Sequence, residues 1–265
     1  MRLLSKMTKL SIITINFNNC DGLKKTINSV VNQTFRDFEW IVIDGGSTDG
    51  SRELIEHNSE FFSYWVSEPD NGVYQAMNKG IVKAKGEYVV FMNSGDCFAD
   101  SKVLDDVSNE LDCNIVAGYV KEDVTNDTIK PPSDLTPWYI LRQNIPHQAE
   151  FIKLSLFNSI ALYSEDLKLL ADYEFNLRAA LANVSYKTLR RQIAVVEPGG
   201  MSNTRLDLLN EEGRLFRERN LPKAIIKDYS LWMNDKQLSS YPSVRWAFEK
   251  KWPIKVLNYM YKFLH

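Results

Sequence analysis

Three short apolar runs, each closed by a polar turn, constrain this chain more than any other feature. Leu10-Ser11-Ile12-Ile13-Thr14-Ile15 ends in Asn16-Phe17-Asn18-Asn19, and Phe38-Glu39-Trp40-Ile41-Val42-Ile43 ends in Asp44-Gly45-Gly46-Ser47-Thr48-Asp49-Gly50. Glu87-Tyr88-Val89-Val90-Phe91-Met92 ends in Asn93-Ser94-Gly95-Asp96. Runs of this length, rich in β-branched residues and bounded by Asn, Asp and Gly, predict buried strands. Between them lie helical stripes. One carries Leu23, Ile27, Val30 and Val31 behind Asn19 or Asp21 as cap; another starts at Ser51 behind Thr48 or Asp49. A third carries Val73, Ala76, Met77, Gly80, Ile81 and Ala84, with Gly86 as its C-cap, and Phe62 to Val66 can add a further strand. Strands alternating with helices predict a mostly parallel sheet with right-handed crossovers, and such sheets bind ligands beyond the carboxyl ends of their strands. Asn16, Asp44 and Asp96 are thereby brought to one rim.

The second half is less regular. Asp112 to Val120 reads as a strand, and Lys130-Pro131-Pro132 to Pro137 as a loop, since proline cannot sit in a central strand. Asp172 to Ala182 has helical spacing, Ser185 to Leu189 and Ile193 to Val196 are strand-like, and the chain from Arg205 is charged and helical in pattern. The expected organisation is α/β: a catalytic domain over 1–204, with a nucleotide half at about 9–98 and an acceptor half at 99–204, then a helical C-terminal extension over 205–265.

With 265 residues, 44% of them hydrophobic and 25% charged, the chain can bury a full core. A net charge of -2 gives no global attraction to nucleic acid, which is not expected as a partner. Cys20, Cys97 and Cys113 are too widely spaced for a zinc knuckle and too few for a disulfide framework, so a reducing, cytoplasmic setting fits. No apolar run approaches the roughly 18 residues of a spanning helix. The segment 241–265 sets Arg245, Lys250, Lys251, Lys255 and Lys262 against the single acid Glu249, interleaved with aromatic rings. It suits a helix lying on an anionic membrane surface, or equally one packed on the protein or on a second copy.

Asp96 is a carboxylate at the end of a central strand, placed to bind a hard divalent ion, Mn²⁺ or Mg²⁺, together with substrate phosphates. It also suits a turn that accepts backbone hydrogen bonds. Asp44 has the same two readings, as a turn residue or as an acceptor for a base N–H or ribose hydroxyl. Asp172, at the start of a helix, can be an N-cap or a general base. His147, behind Pro146, is structural or catalytic; as a metal ligand it lacks a partner at helical or hairpin spacing. Neither the dinucleotide fingerprint G-x-G-x-x-G nor a P-loop occurs.

Taken in order and spacing, these segments resemble family 2 glycosyltransferases of the GT-A fold, in particular bacterial enzymes of O-antigen, capsule and exopolysaccharide assembly. The resemblance runs from about Leu10 to Ser202. It rests on Ser11 to Asn18, Val31-Asn32-Gln33-Thr34, Ile41 to Gly50, Ser67-Glu68-Pro69-Asp70-Asn71-Gly72-Val73-Tyr74-Gln75-Ala76-Met77-Asn78-Lys79-Gly80, Phe91 to Asp96, and Glu197-Pro198-Gly199-Gly200-Met201-Ser202. It implies Thr14, Asn16 and Asp44 as a nucleoside pocket, with Asp70, Asn78, Lys79, Asn93 and Ser94 on the donor. Asp96 becomes the last carboxylate of a D-x-D-type metal motif, Asp172 the catalytic base of an inverting transfer, and His147 and Gln148 acceptor-side residues. The implied donor is a nucleotide-diphosphate sugar, a UDP-sugar, and the acceptor a glycan, lipid-linked, at the inner face of the plasma membrane.

Four positions depart from the pattern: Asn93 and Gly95 stand where acids are frequent in the metal motif, Ala171 stands where many relatives carry an acid before the base, and Gln75 replaces a common Asp. A single protein carboxylate on the ion makes metal and donor binding mutually dependent. Two other classes compete. A sugar nucleotidyltransferase would carry a Gly-rich basic loop after the first strand, where this chain has Asn16-Phe17-Asn18-Asn19, and a non-catalytic nucleotide-sugar or glycan binder is compatible with Asn93 and Gly95.

Overall fold

A computed structural model describes residues 8–197 and 205–234. The segment 241–265, expected either at a membrane surface or packed on the protein or a second copy, and positions 198–202 of the Glu197 motif lie outside them.

The expected alternation is present through the first half. Strands β1 (Leu10–Asn16), β2 (Phe38–Asp44), β3 (Tyr64–Ser67) and β4 (Tyr88–Phe91) are parallel, in the spatial order β3-β2-β1-β4. They are joined by α1 (Cys20–Val31), α2 (Ser51–His57) and α3 (Val73–Lys83). Alternate residues of the central strands feed two separate cores: Ile13, Ile41, Ile43 and Phe91 face one side with Met77 of α3, and Ile12, Trp40, Val42 and Val90 face the other with Leu23 and Ile27 of α1. A strand buried on both faces must be apolar at nearly every position, which is why these runs carry so little polar alternation.

The second half makes the sheet mixed. Strands β5 (Cys97–Phe98), β6 (Ile115–Glu122), β7 (Thr128–Ile129), β8 (Glu150–Lys153) and β9 (Tyr186–Val196) extend it to the order β3-β2-β1-β4-β8-β6-β9-β5, with β7 beside β6. β8 enters antiparallel between β4 and β6, while β6 and β9 pair in parallel. The two strand-like runs expected at Ser185 to Leu189 and Ile193 to Val196 are one strand, whose irregular stretch meets register shifts against β6 between Ala117 and Val120. The remaining helices are α4 (Val103–Ser108), α5 (Pro137–Arg142), α6 (Ser155–Ser159), α7 (Ala171–Leu181), α8 (Leu206–Asn220) and α9 (Lys223–Asn234).

Caps follow the sequence in part. Asn19 caps α1, its Oδ1 accepting from Gly22 N–H. Gly86 does not cap α3, which ends with Ala84 in extended backbone. A Cβ on Gly86 would lie 2.6 Å from the Leu10 carbonyl carbon and the Ser11 nitrogen, so glycine is needed there because two backbones touch. The charged stretch after Arg205 has a buried face: Phe216 and Leu221 join the core on the α7 side. Among the described residues no helix is long and apolar enough to cross a membrane.

Candidate active site

The rim formed by β1, β2 and β3 is organised around Asp44. Asn16 Nδ2 and Ser47 Oγ donate to its Oδ1 at 2.7 and 2.5 Å, while Ser47 N–H and Ser67 Oγ donate to Oδ2 at 2.9 and 2.6 Å. Burial works to raise this carboxyl, but the bonds from Ser47, Ser67 and Asn16 outweigh it and hold the group below the ordinary carboxylate value. With no exposed surface and four donors, Asp44 fixes the turn after β2. Asn16 keeps a buried Oδ1 without a partner, an acceptor left at the rim. Beside it Phe17 is 65% exposed, and a Cβ on Gly45 would meet Phe17 at 3.1 Å and Asp70 Oδ2 at 2.8 Å. Phe17, Gly45 and Asp70 therefore form one surface. Phe17 was not selected from the sequence; its signal is a large ring in a polar turn.

Four further donor-side candidates have partners within the protein. Thr14 is fully buried, its hydroxyl donating to the Met92 carbonyl at 2.8 Å and accepting from Trp40 Nε1 at 3.0 Å, so it ties β1 to β4. Asn78 pins the 163–165 loop to α3, donating to the Tyr163 carbonyl and to Glu165, and accepting from Tyr163 N–H. Both side chains are used inside the protein. Lys79 pairs with Glu68 at 2.7 Å in a groove between β3 and α3. Ser94 is held to α1, its carbonyl accepting from Asn19 Nδ2 at 3.1 Å.

Beyond β4 the chain gathers the other candidates. Burial raises the Asp96 carboxyl to about 6, opposed by the nearby His147 ring and a hydrogen bond from Gln148 Nε2 at 3.0 Å, and reinforced by Glu197. A buried carboxylate with so little neutralisation attracts a cation. Asn93 Oδ1, three residues before it, is a buried oxygen with no partner. An acidic oxygen and a side-chain carbonyl oxygen fit a hard divalent ion that takes its other ligands from phosphate and water. Among the described residues no cluster of three or more His, Cys, Asp or Glu could hold an ion unaided.

The 3₁₀ turn His147–Ala149 joins the surroundings of Asp96 to those of Asp172. Asn93 Nδ2 lies 3.0 Å from His147 Nε2, and the other ring nitrogen, Nδ1, faces Asp172 Oδ2 at 3.6 Å. The neighbouring Gln148 holds Asp96. Asp172 stands in the first turn of α7, whose N-cap is Leu170, so it is not a cap. Tyr74 OH donates to Asp172 Oδ1 and Asn144 Nδ2 to Oδ2, each at 2.7 Å. Burial and the Asp172 charge push the Tyr74 phenol well above its ordinary value, so it remains a donor. Each Asp172 oxygen keeps a second lone pair for a substrate hydroxyl. Tyr74 and Asn144 were not singled out from the sequence, because their roles depend on approaches between distant segments.

This is a GT-A-like α/β protein in which one turn links Asp96, beyond the parallel strand β4, to Asp172, in the first turn of α7. The chain belongs to glycosyl transferase family 2, whose family model matches residues 11–166. It is 38% identical over 180 residues to an uncharacterized glycosyltransferase of Mycobacterium tuberculosis, covering 65% of this chain and 69% of that one. It is 31% identical over 211 residues to a PGL/p-HBAD biosynthesis glycosyltransferase of Mycobacterium bovis, covering 74% and 80%. Its fold is similar to the crystal structure of S. aureus TarS in complex with UDP-GlcNAc, with a TM-score of 0.62 at 21% identity over 74% of this chain and 61% of that one. The GT-A-like architecture and glycosyltransferase class expected from the sequence are thereby shown.

Proposed function

We propose that this protein is an inverting glycosyltransferase that moves one sugar, a hexose or N-acetylhexosamine, from a UDP-sugar to a hydroxyl of a glycan acceptor. The acceptor is lipid-linked, in assembly of a bacterial surface polysaccharide at the inner face of the plasma membrane. The observation that carries this reading is the turn at 147–149, which places His147 against the base Asp172 and Gln148 on the ion-side carboxylate Asp96. Asp172 draws the proton from the acceptor hydroxyl as its oxygen attacks the anomeric carbon, and the bond from that carbon to the diphosphate oxygen breaks with inversion. Asp96 and Asn93 Oδ1 would hold Mn²⁺ or Mg²⁺, which when bound neutralises charge on the departing diphosphate. Phe17 offers its exposed face to the base, and Asn16 Oδ1 and Asp70 offer acceptors to the nucleoside. The UDP-GlcNAc bound to TarS supports the donor class.

A thermal-shift panel of sugar nucleotides with Mn²⁺ identifies the donor, since a ligand that binds only the native state raises its stability. With that donor, Asp172→Asn is expected to lose about 10²–10⁴-fold in transfer while still binding UDP with Mn²⁺. Full transfer by Asp172→Asn would remove the base assignment, and no turnover of any sugar nucleotide by the wild type would favour a pure binder.

A further inference from the structure

The segment that leads into α7 carries no cap of its own. Leu170, the N-cap residue, makes no side-chain cap bond, and the residue before it is also a leucine. Helix starts leave backbone N–H groups without intrahelical partners, and these must find acceptors when buried. Here the acceptor comes from 42 to 44 positions further along the chain. Glu212, on α8 and only 2% exposed, accepts from Lys168 N–H through Oε1 at 2.6 Å, and from Leu169 N–H and Leu170 N–H through Oε2 at 2.8 and 3.1 Å. Asp172 follows two residues after the last of these amides.

We propose that Glu212 is a positioning residue for the general base: by gripping three consecutive amides it sets where α7 starts and so where Asp172 stands. The inference rests on the reading of Asp172 as base. A carboxylate at a helix N-terminus is doubly favoured there, by charge-assisted hydrogen bonds and by the helix dipole. Other α8 contacts differ in kind. Arg219 pairs with Asp166 at the surface, and Asn220 donates to Glu174 a half-turn past the base. Phe216 packs near Tyr173 with ring centroids 6.1 Å apart, which supplies burial without direction. Only Glu212 reaches the backbone immediately before Asp172. Tyr74 and Asn144 hold the Asp172 carboxylate from other elements, so a small shift of the α7 start misaligns it against partners that do not move with it. Misplacement by about an ångström can cost a reaction about 100-fold.

The test compares Glu212→Gln and Glu212→Ala with the surface control Arg219→Ala. Each is assayed for UDP release from the sugar nucleotide selected by the thermal-shift panel, for KM, and for UDP binding with Mn²⁺. Glu212→Gln keeps the shape of the side chain but only one acceptor oxygen. It is expected to stay folded, to lose about 10- to 100-fold in kcat, and to leave donor KM and UDP binding within about twofold of wild type. Amide hydrogen exchange over 168–173 should accelerate in the same variant, while Arg219→Ala changes neither. In an Asp172→Asn background Glu212→Gln should cost nothing further, because the group it positions is already gone.

A folded Glu212→Gln with unchanged kcat, an equal loss in the Asp172→Asn background, or loss of UDP binding in step with kcat would each overturn the proposal. Unfolding of both Glu212 variants would also overturn it, in favour of a purely structural role. If Asp172→Asn itself retains full transfer, the base assignment fails, and the positioning inference fails with it for a distinguishable reason.

Discussion

Glu150 shows how far a residue's type can stand from its state. It is buried on β8, with Oε2 accepting from Asn176 Nδ2 at 3.1 Å and Oε1 without a partner. Burial pushes its carboxyl well above the ordinary range, the Asn176 bond opposes this, and the charge of Asp172 adds to it. Asn176 in turn donates to Asn144 Oδ1, so two side chains link Glu150 to Asp172. A carboxyl whose folded pKa is raised favours folding while it is protonated in both states. That advantage is lost as pH rises from the ordinary glutamate range toward the folded value, with a slope of about 1.4 kcal/mol per pH unit for one proton. Glu150→Gln, a neutral isostere, is expected to remove this decline, so its stability advantage over wild type grows with pH in urea titrations. A constant difference across pH would show that Glu150 is ionised in the folded protein. No sequence pattern marks Glu150, because its signal is its surroundings. Asp96, Asp172 and His147 stand out in the sequence as candidates because few side chains do the chemistry expected of them. Residue type alone does not say whether a polar group such as Thr14, Asp44 or Asn78 faces a ligand or the interior.

At the scale of elements, what was legible depended on how locally each is determined. β1, β2 and β4 are read from their own apolar runs, and α1 and α3 from their stripes. β5 and β7 are two residues long and exist only through pairing with β9 and β6, so no periodicity could reveal them. The sheet is mixed for the same reason: β8 is inserted between β4 and β6 by contacts of the folded state. Gly86 is the case where local rules misled, since a glycine after a helix usually signals a C-cap. Its actual constraint is the approach to the β1 backbone, where a methyl group cannot be accommodated by moving a side chain. Gly86→Ala is therefore expected to cost about 1–3 kcal/mol, as overpacking does. Gly213→Ala on α8 is the contrast, because its Cβ would meet only the Arg217 guanidinium at 3.2 Å. Helix propensity then favours alanine by up to about 1 kcal/mol. Denaturant midpoints for the two variants should move in opposite directions; equal destabilisation would mean that the α8 face is as tightly packed as the strand contact.

Across the whole molecule, the two halves of the sheet contribute different parts of one site. The parallel half ends in the Phe17 and Asp70 surface and in Asp96; the mixed half and α7 supply Gln148, His147 and Asp172, with α8 behind them. The ion side is incomplete by itself. One carboxylate and one amide oxygen leave most of the coordination of a six-ligand ion to water and to the donor's phosphates. On the proposed reading the donor's phosphates would approach Asp96, a negative group whose repulsion a bound cation would offset. Metal and nucleotide should therefore bind with positive coupling, and linkage requires that each tighten the other by the same factor. In calorimetric titrations Mn²⁺ alone and UDP alone are expected to bind weakly, and UDP at saturating Mn²⁺ at least about tenfold more tightly, a coupling of about 1.4 kcal/mol. Asp96→Asn should abolish the coupling and, by removing the negative charge set against the phosphates, raise the metal-free affinity for UDP, while its partner Gln148 can hydrogen-bond an amide as well as a carboxylate. Asn93→Ala should reduce it, while also freeing His147 Nε2. Tight Mn²⁺ binding without nucleotide, or coupling that survives Asp96→Asn, would place the ion on groups other than these two and separate the carboxylate from the diphosphate.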